Sequence, residues 1–332
     1  METRKVQVTG GSTYTVSLPK DWATANDVSA GSVVEFYSEE DILLLSPQSD
    51  DDRLEGSIDI DGLEGDELTR AVMTMYVSGF DVINFEAPRV TAGQRRTIRE
   101  ATQGLVGLEV IEETGEHVVL QDLLDSSELS VHNAITRMRL VALTMLEDAV
   151  TALVEDDDEL AHDVIERDDD VDRLWYMVSR VFRTVLRDPA QATDIGFPRE
   201  TVFDYQSSAR QLERIADHAT KIAGIALDLG PVGEDVGDSL RDLEDAALTV
   251  PETAMDALLS DDSDEAVELA AEARSDLPAI DAKARDVDDA IRSLDDPELA
   301  QSLGLVVDSL SRTADYGGNI AESALQKAAP SP

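Results

Sequence analysis

From Ser126 to the end of the chain, apolar positions recur every three or four residues, which reads as helix throughout. Val131, Ile135, Met138, Ala142, Met145 and Ala149 form one stripe. Leu160, Val164, Val171, Leu174, Val178, Val181 and Val185 form a second, and Leu212, Ile215, Ala219, Ile222 and Ala226 a third. Such spacing keeps the apolar side chains on one face of a 3.6-residue helix. Three further stripes follow: Leu240, Leu243, Ala247 and Val250; Leu277, Ile280, Ala284, Val287, Ile291 and Leu294; Leu303, Val306, Leu310, Ala314 and Ile320. Asp188-Pro189 and Asp296-Pro297 break the pattern between second and third helices, because a residue before proline is pushed out of the helical region. The expectation is two three-helix bundles in tandem, over 126–230 and 235–328.

Upstream, the period changes. Lys5-Val6-Gln7-Val8 alternates, Gly10-Gly11-Ser12 interrupts, and Tyr14 to Leu18 alternates again until Pro19. Lys20 to Ala23 begins a short helix, and Val33–Tyr37 with Ile42–Pro47 makes a second hairpin. A unit over 1–48 encloses too little surface for a core of its own, so a dimer sharing one core is expected. Residues 49–56 read as a polar linker. Residues 55–122 then mix types: a strand in SIDIDG, a helix over 65–78 with Leu68, Val72, Met75 and Tyr76 inward, and a strand in DVINFEA. A helix over 91–104 follows, and one or two strands over 105–120. This predicts a small α/β unit.

The helical half contains a duplication. Residues 213–227 and 311–325 share Arg214/Arg312, Ala216/Ala314, Asp217/Asp315, Ile222/Ile320, Ala223/Ala321, Ala226/Ala324 and Leu227/Leu325 at one fixed offset. A repeat of this kind implies two copies of one structural unit. It also places an acid on the same face of both copies.

Charge adds to this picture. The 332-residue chain carries a formal −44 with 42% hydrophobic residues. Such charge over a periodic apolar pattern describes a folded core under an acidic shell. Only Lys5, Lys20, Lys221, Lys283 and Lys327 are lysine; the other basic residues are arginine. Many acids with few lysines suit molar intracellular salt, where the Debye length falls to about 3 Å, and a salt-loving archaeon is the implied source. There is no cysteine, so disulfides, thiolate metal sites and cysteine nucleophiles are excluded. No apolar run approaches the ~20 residues that span a bilayer, and the N-terminus lacks a signal-peptide core. A cytoplasmic protein without membrane insertion is expected. GxSxG, P-loop and GxGxxG motifs are absent, so no enzyme is expected.

Carboxylates carry the candidate chemistry. Glu213 and Asp217 are four residues apart on one helix, and Asp168 and Asp172 repeat that spacing on the preceding one. Like charges so placed repel, and a cation between the two helices would compensate. Carboxylate-only sites suit Mg²⁺, Mn²⁺ or Ca²⁺, and iron in multinuclear clusters. Against this, acidic pairs are frequent by chance in so acidic a chain, and Arg214 beside Glu213 offers neutralisation without metal. His218 is turned about 100° away from Asp217 on the helix. The second copy is depleted: Ser311 stands in place of Glu213 and Ala284 in place of Asp168, while Asp288 and Asp315 remain.

QLERIADHATKIA, with IERDDDVDRL upstream, resembles the PhoU family of phosphate-uptake regulators over about residues 126–328. The resemblance implies tandem three-helix bundles whose acidic motifs hold divalent or iron ions. It assigns that role to Asp168, Asp172, Glu213 and Asp217, then to Asp288 and Asp315. It also implies negative regulation and a partnership with the phosphate ABC transporter through its ATPase. The segment TYTVSLPKDW and the hairpin after it resemble AbrB/SpoVT swapped-hairpin DNA-binding domains. That implies a homodimer presenting Arg4, Lys5, Thr13, Tyr14 and Lys20 to promoter DNA. Residues 1–26 carry a formal +1 within a chain of −44.

The sequence therefore points to a regulator coupling a phosphate-responsive helical domain to a DNA-binding dimer. A pure adaptor on the transporter, with the N-terminal unit only a dimer clamp, is the main alternative. A carboxylate-bridged metalloenzyme or metal store is the third.

Overall fold

The structure is a computed structural model, and it describes residues 2–39, 42–48, 53–123 and 130–330. The chain forms two compact units, Met1–Arg53 and Leu54–Pro332.

The first unit contains two antiparallel hairpins and one short helix. Strand β1 (Gln7–Thr9) pairs with β2 (Thr13–Thr15), α1 spans Lys20–Ala25, and β3 (Val34–Glu39) pairs with β4 (Ile42–Pro47). Gly10 and Gly11 turn the first hairpin at φ +65 and +84, a region glycine enters without steric cost. The first strand begins two residues later than its alternation suggests, so Lys5 precedes it. None of the described residues of this unit is buried. Val8, Tyr14, Phe36 and Leu43 are among the large apolar side chains left in solvent.

The second unit opens with an α/β layer. Its strands are β5 (Glu55–Asp59), β6 (Val82–Glu86), β7 (Leu108–Glu113) and β8 (His117–Asp122), with helices α2 (Gly65–Val77) and α3 (Ala92–Gln103) between the first three. The sheet order is β5-β6-β8-β7, parallel between β5 and β6 and antiparallel elsewhere. Because β5 starts at Glu55, the expected linker is shorter than 49–56; its residues 49–52 lie outside the described ones. Thr91 caps α3 in a reciprocal box with Gln94, whose amide also donates to the Ile60 and Leu63 carbonyls. Leu68, Val72, Tyr76, Ile83, Phe85 and Ile98 fill the core of this layer.

The rest is helical: α4 (Val131–Glu155), α5 (Asp158–Arg187), the short α6 (Pro189–Ile195), α7 (Arg199–Leu229), α8 (Glu234–Leu259), α9 (Ser263–Arg292) and α10 (Pro297–Ala328). Helix was expected from Ser126; residues 124–129 lie outside the described ones, and Ser130 is the N-cap of α4. The break at Asp188-Pro189 holds, and α6 is an additional turn placed after it. Asp157, Asp262 and Asp296 cap α5, α9 and α10 with side-chain oxygens, as their short acceptors favour. Helices α4, α5 and α7 form one bundle and α8, α9 and α10 the other; α7 packs on α10 and α4 on α8. One continuous core runs through both bundles, from Val131 to Ala324.

The α/β layer is fastened to α5. Arg180, 5% exposed, donates through Nη1 to the Tyr76 and Phe80 carbonyls at 2.9 Å. Its Nη2 meets Asp81 at 3.0 Å and Asp122 at 2.8 Å, and its guanidinium lies 5.0 Å from the Tyr76 ring centre. Arg187, two turns on, donates to the Ser78 carbonyl. A buried guanidinium satisfied on both edges sets position strictly, because moving the layer would strand charge in an apolar setting.

Candidate metal centre

The four acids of the first copy come together where α5 and α7 run side by side. Glu213 is buried, Asp168 and Asp172 are half-buried, and Asp217 is exposed. Burial first, and then Asp217, push the Glu213 carboxyl up to about 7 against the opposing charge of Arg210. Burial likewise lifts Asp172 to about 6, with Asp168 and Asp217 adding repulsion. Asp168 is raised by burial and then by Asp217 and Asp169. Asp217 raises the other three, Asp168 raises Asp172, and Asp172 raises Glu213, so the four share one electrostatic neighbourhood. Tyr176 adjoins them and also packs against the α/β core. It therefore stands between the acids and the layer that Arg180 fastens.

Glu213 has one partnered oxygen and one without a partner. Arg210 Nη1 donates to Oε1 at 2.6 Å, while Oε2 is buried with no hydrogen-bond partner. An orphaned carboxylate oxygen among three further carboxylates is a donor set that fits a hard cation. Among the described residues, no three carboxylate or imidazole groups already converge on one point. A cation held here would draw these side chains inward.

The neutralising arginine is not the one expected from the sequence. Arg214 turns toward the second bundle, donating to Gln211 Oε1 at 3.5 Å and lying 5.6 Å from the Tyr316 ring centre. The ion pair belongs to Arg210, one turn earlier, whose guanidinium is 5.3 Å from the Trp175 ring centre. The i,i+3 spacing of Arg210 and Glu213 was the available signal. His218 does face away from the acids: its Nε2 lies 3.3 Å from the Tyr316 hydroxyl.

In the second copy the two candidates have different partners. Asp288 is half-buried and pairs with Arg292. Asp315 is exposed, and its carboxyl is raised by burial and by Asp281, with Arg312 opposing. Asp281 was not singled out from the sequence.

In the N-terminal unit, Thr13 and Tyr14 lie on β2, Lys20 opens α1, and Lys5 and Lys20 are exposed. Arg4 pairs with Glu2.

A model of the PhoU domain matches residues 135–226, and one described as "Antidote-toxin recognition MazE, bacterial antitoxin" matches residues 7–53. The phosphate-specific transport system accessory protein PhoU homolog of Pseudomonas putida is 31% identical over 189 residues, covering 53% of this chain and 69% of the relative. The chain belongs to the PhoU family. Its N-terminal unit is of the AbrB/MazE type. Among solved structures, PhoU from Pseudomonas aeruginosa superposes with a TM-score of 0.50 at 24% identity, covering 59% of this chain and 93% of that one. The phosphate transport system regulatory protein PhoU from Streptococcus pneumoniae gives 0.47 at 20% identity, with 59% and 91% covered. The first of these supports the helical PhoU fold for this chain. The α/β layer and the N-terminal hairpins lie outside the matched PhoU domain. Among the described residues no helix is long and apolar enough to cross a membrane.

Proposed function

We propose that this PhoU-family chain is a phosphate-responsive, negative regulator of phosphate uptake that acts on promoter DNA. The observation that carries the reading is the joining of a PhoU helical domain to an AbrB/MazE-type unit with no buried residue among its described ones. A unit that exposes Val8, Tyr14, Phe36 and Leu43 gains a core by pairing with a second copy. Such a homodimer would present two sets of Arg4, Lys5, Thr13, Tyr14 and Lys20 to the duplex. In molar salt, counterion release contributes little, so shape and base contacts would supply most of the affinity.

Asp168, Asp172, Glu213 and Asp217 would hold a divalent or iron ion. A bound ion supplies the positive charge this face lacks and gives an anion a place to approach. Asp288 and Asp315 would bind more weakly, one being paired with Arg292. No catalytic role is assigned. The Arg180 joint supports transmission: α5 carries Asp168 and Asp172 in its first half and holds the α/β layer with its second, and that layer follows the N-terminal unit in the sequence.

Crosslinking of tagged protein to genomic DNA in cells, at high and low phosphate, tests this reading. Enrichment at phosphate-transport promoters that changes with phosphate and is lost in Lys20→Ala and Arg4→Ala is expected. The relative described as a transport-system accessory protein favours a second reading, an adaptor on the phosphate ABC transporter and its ATPase. Absence of enrichment at both phosphate levels would leave that one.

A further inference from the structure

Glu213 is held by a cation that the chain itself provides. Arg210, Glu213 and Asp217 lie on successive turns of α7, so one helical face presents a guanidinium and then two carboxylates. Arg210 engages only Oε1 of Glu213, and Oε2, in a residue 8% exposed, is left without a partner. The guanidinium rests against Trp175 of α5, at 5.3 Å. Its side chain is 41% exposed, so solvent is open to it if it leaves.

We propose that Arg210 is a built-in counter-ion that a divalent cation must displace from Glu213 before being held between α5 and α7. The proposal rests on the cation-site reading given above. A single positive charge on one oxygen answers one carboxylate of four. A divalent ion carries twice the charge and can take the orphaned oxygen as well, so it wins only above a threshold concentration set by the arginine. Support of the guanidinium by the Trp175 face raises that threshold. The second copy lacks this pair on its last helix: Asp308 stands at the place of Arg210 and Ser311 at that of Glu213, and its arginine contact is instead Arg292 on Asp288 of α9. The Arg210–Glu213 lock thus belongs to the bundle that carries all four acids.

The test uses the full chain, freed of metal by chelation and held in molar KCl to screen the acidic surface. Zn²⁺ is titrated by calorimetry into wild type, Arg210→Gln, Arg210→Lys and Glu213→Gln. The event of interest is the one that Glu213→Gln abolishes. The chain has two tryptophans, Trp22 and Trp175, so a Trp22→Phe background lets emission report the Trp175 stack alone. Arg210→Gln should tighten the Glu213-dependent event about three- to tenfold, the equivalent of a partly exposed ion pair released. Arg210→Lys, which keeps the charge, should stay near wild type, and Trp175 emission should change as the ion enters wild type. Equal affinity in wild type and Arg210→Gln, or equal tightening by Lys and Gln, would overturn the lock while leaving the site standing. No Glu213-dependent event in wild type or Arg210→Gln would overturn both lock and site. Melting curves of each variant confirm that the folded protein is being titrated.

Discussion

His218 and Tyr316 occupy the same place in the two copies of the repeat, 98 residues apart, and their rings meet at 5.6 Å. A position that touches its own counterpart lies on the axis relating the two copies. Around it, Asn319 donates to Gln211 at 3.2 Å, and Arg214 lies over Tyr316. The duplicated helix thus turns its acid one way and its aromatic position toward the other bundle. Tyr316→Ala should lower the melting temperature, since an aromatic pair of this kind is worth about 0.5–1.5 kcal/mol beyond its buried area. Tyr316→Phe should recover most of the loss in scanning calorimetry. An alanine variant that melts like wild type would mean the seam is held elsewhere.

Helices α8 and α10 approach closely at Gly317. A methyl group there would stand 2.5 Å from the Pro251 nitrogen and 2.8 Å from Val250 Cγ1. The equivalent position in α7 is Ala219, so the two copies differ where packing differs. Gly317→Ala should destabilise by about 1–3 kcal/mol through overpacking, despite the better helix propensity of alanine. Stabilisation in chemical denaturation would refute the close approach.

Removal of the Arg180 guanidinium should cost about 3–5 kcal/mol, as breaking a buried ion pair does. Arg180→Met keeps the aliphatic packing and deletes the charge beside Asp122 and Asp81. Hydrogen exchange should rise over Ser78–Asp81 and the end of β8 before it rises in α7. Uniform exchange across the chain would show instead that the joint does not open separately.

Glu244 of α8 carries a pH dependence. It is 6% exposed; burial, then Asp245 and Glu147, push its carboxyl from 4.5 up to about 8. A carboxyl with a raised folded value is protonated in the fold while already ionised in the unfolded chain. Its contribution to stability is therefore full below about pH 4.5 and declines as pH rises toward about 8, at up to ~1.4 kcal/mol per unit. Glu244→Gln should melt progressively higher than wild type across that window and hold a constant lead above it. Parallel melting curves from pH 5 to 9 would contradict the assignment.

A formal charge of −44 predicts a fold that depends on screening. Lowering KCl from molar to about 0.1 M lengthens the Debye length from roughly 3 to 10 Å. The melting temperature should fall steadily, and sucrose at matched osmolality should not restore it. A melting temperature independent of KCl would mean that the acidic shell does not strain the fold.

The sequence by itself determined the helices, their pairing into two copies, the α/β order and the four acids of the first copy. Those features are written in local period and spacing, which a helix or strand converts directly into faces. Tertiary structure alone decided which arginine meets Glu213. Arg210 and Arg214 are equally available along α7, and the choice follows from Trp175 on α5 and Tyr316 on α10, partners brought close only by packing. The same holds for Arg180, one polar position among the apolar stripe of the second helix until four groups of the α/β layer surround it. It holds for Glu244, one acid among 71 acidic residues until burial raises it. Charge neutralisation and desolvation depend on what stands across a helix interface, and no period along the chain records that.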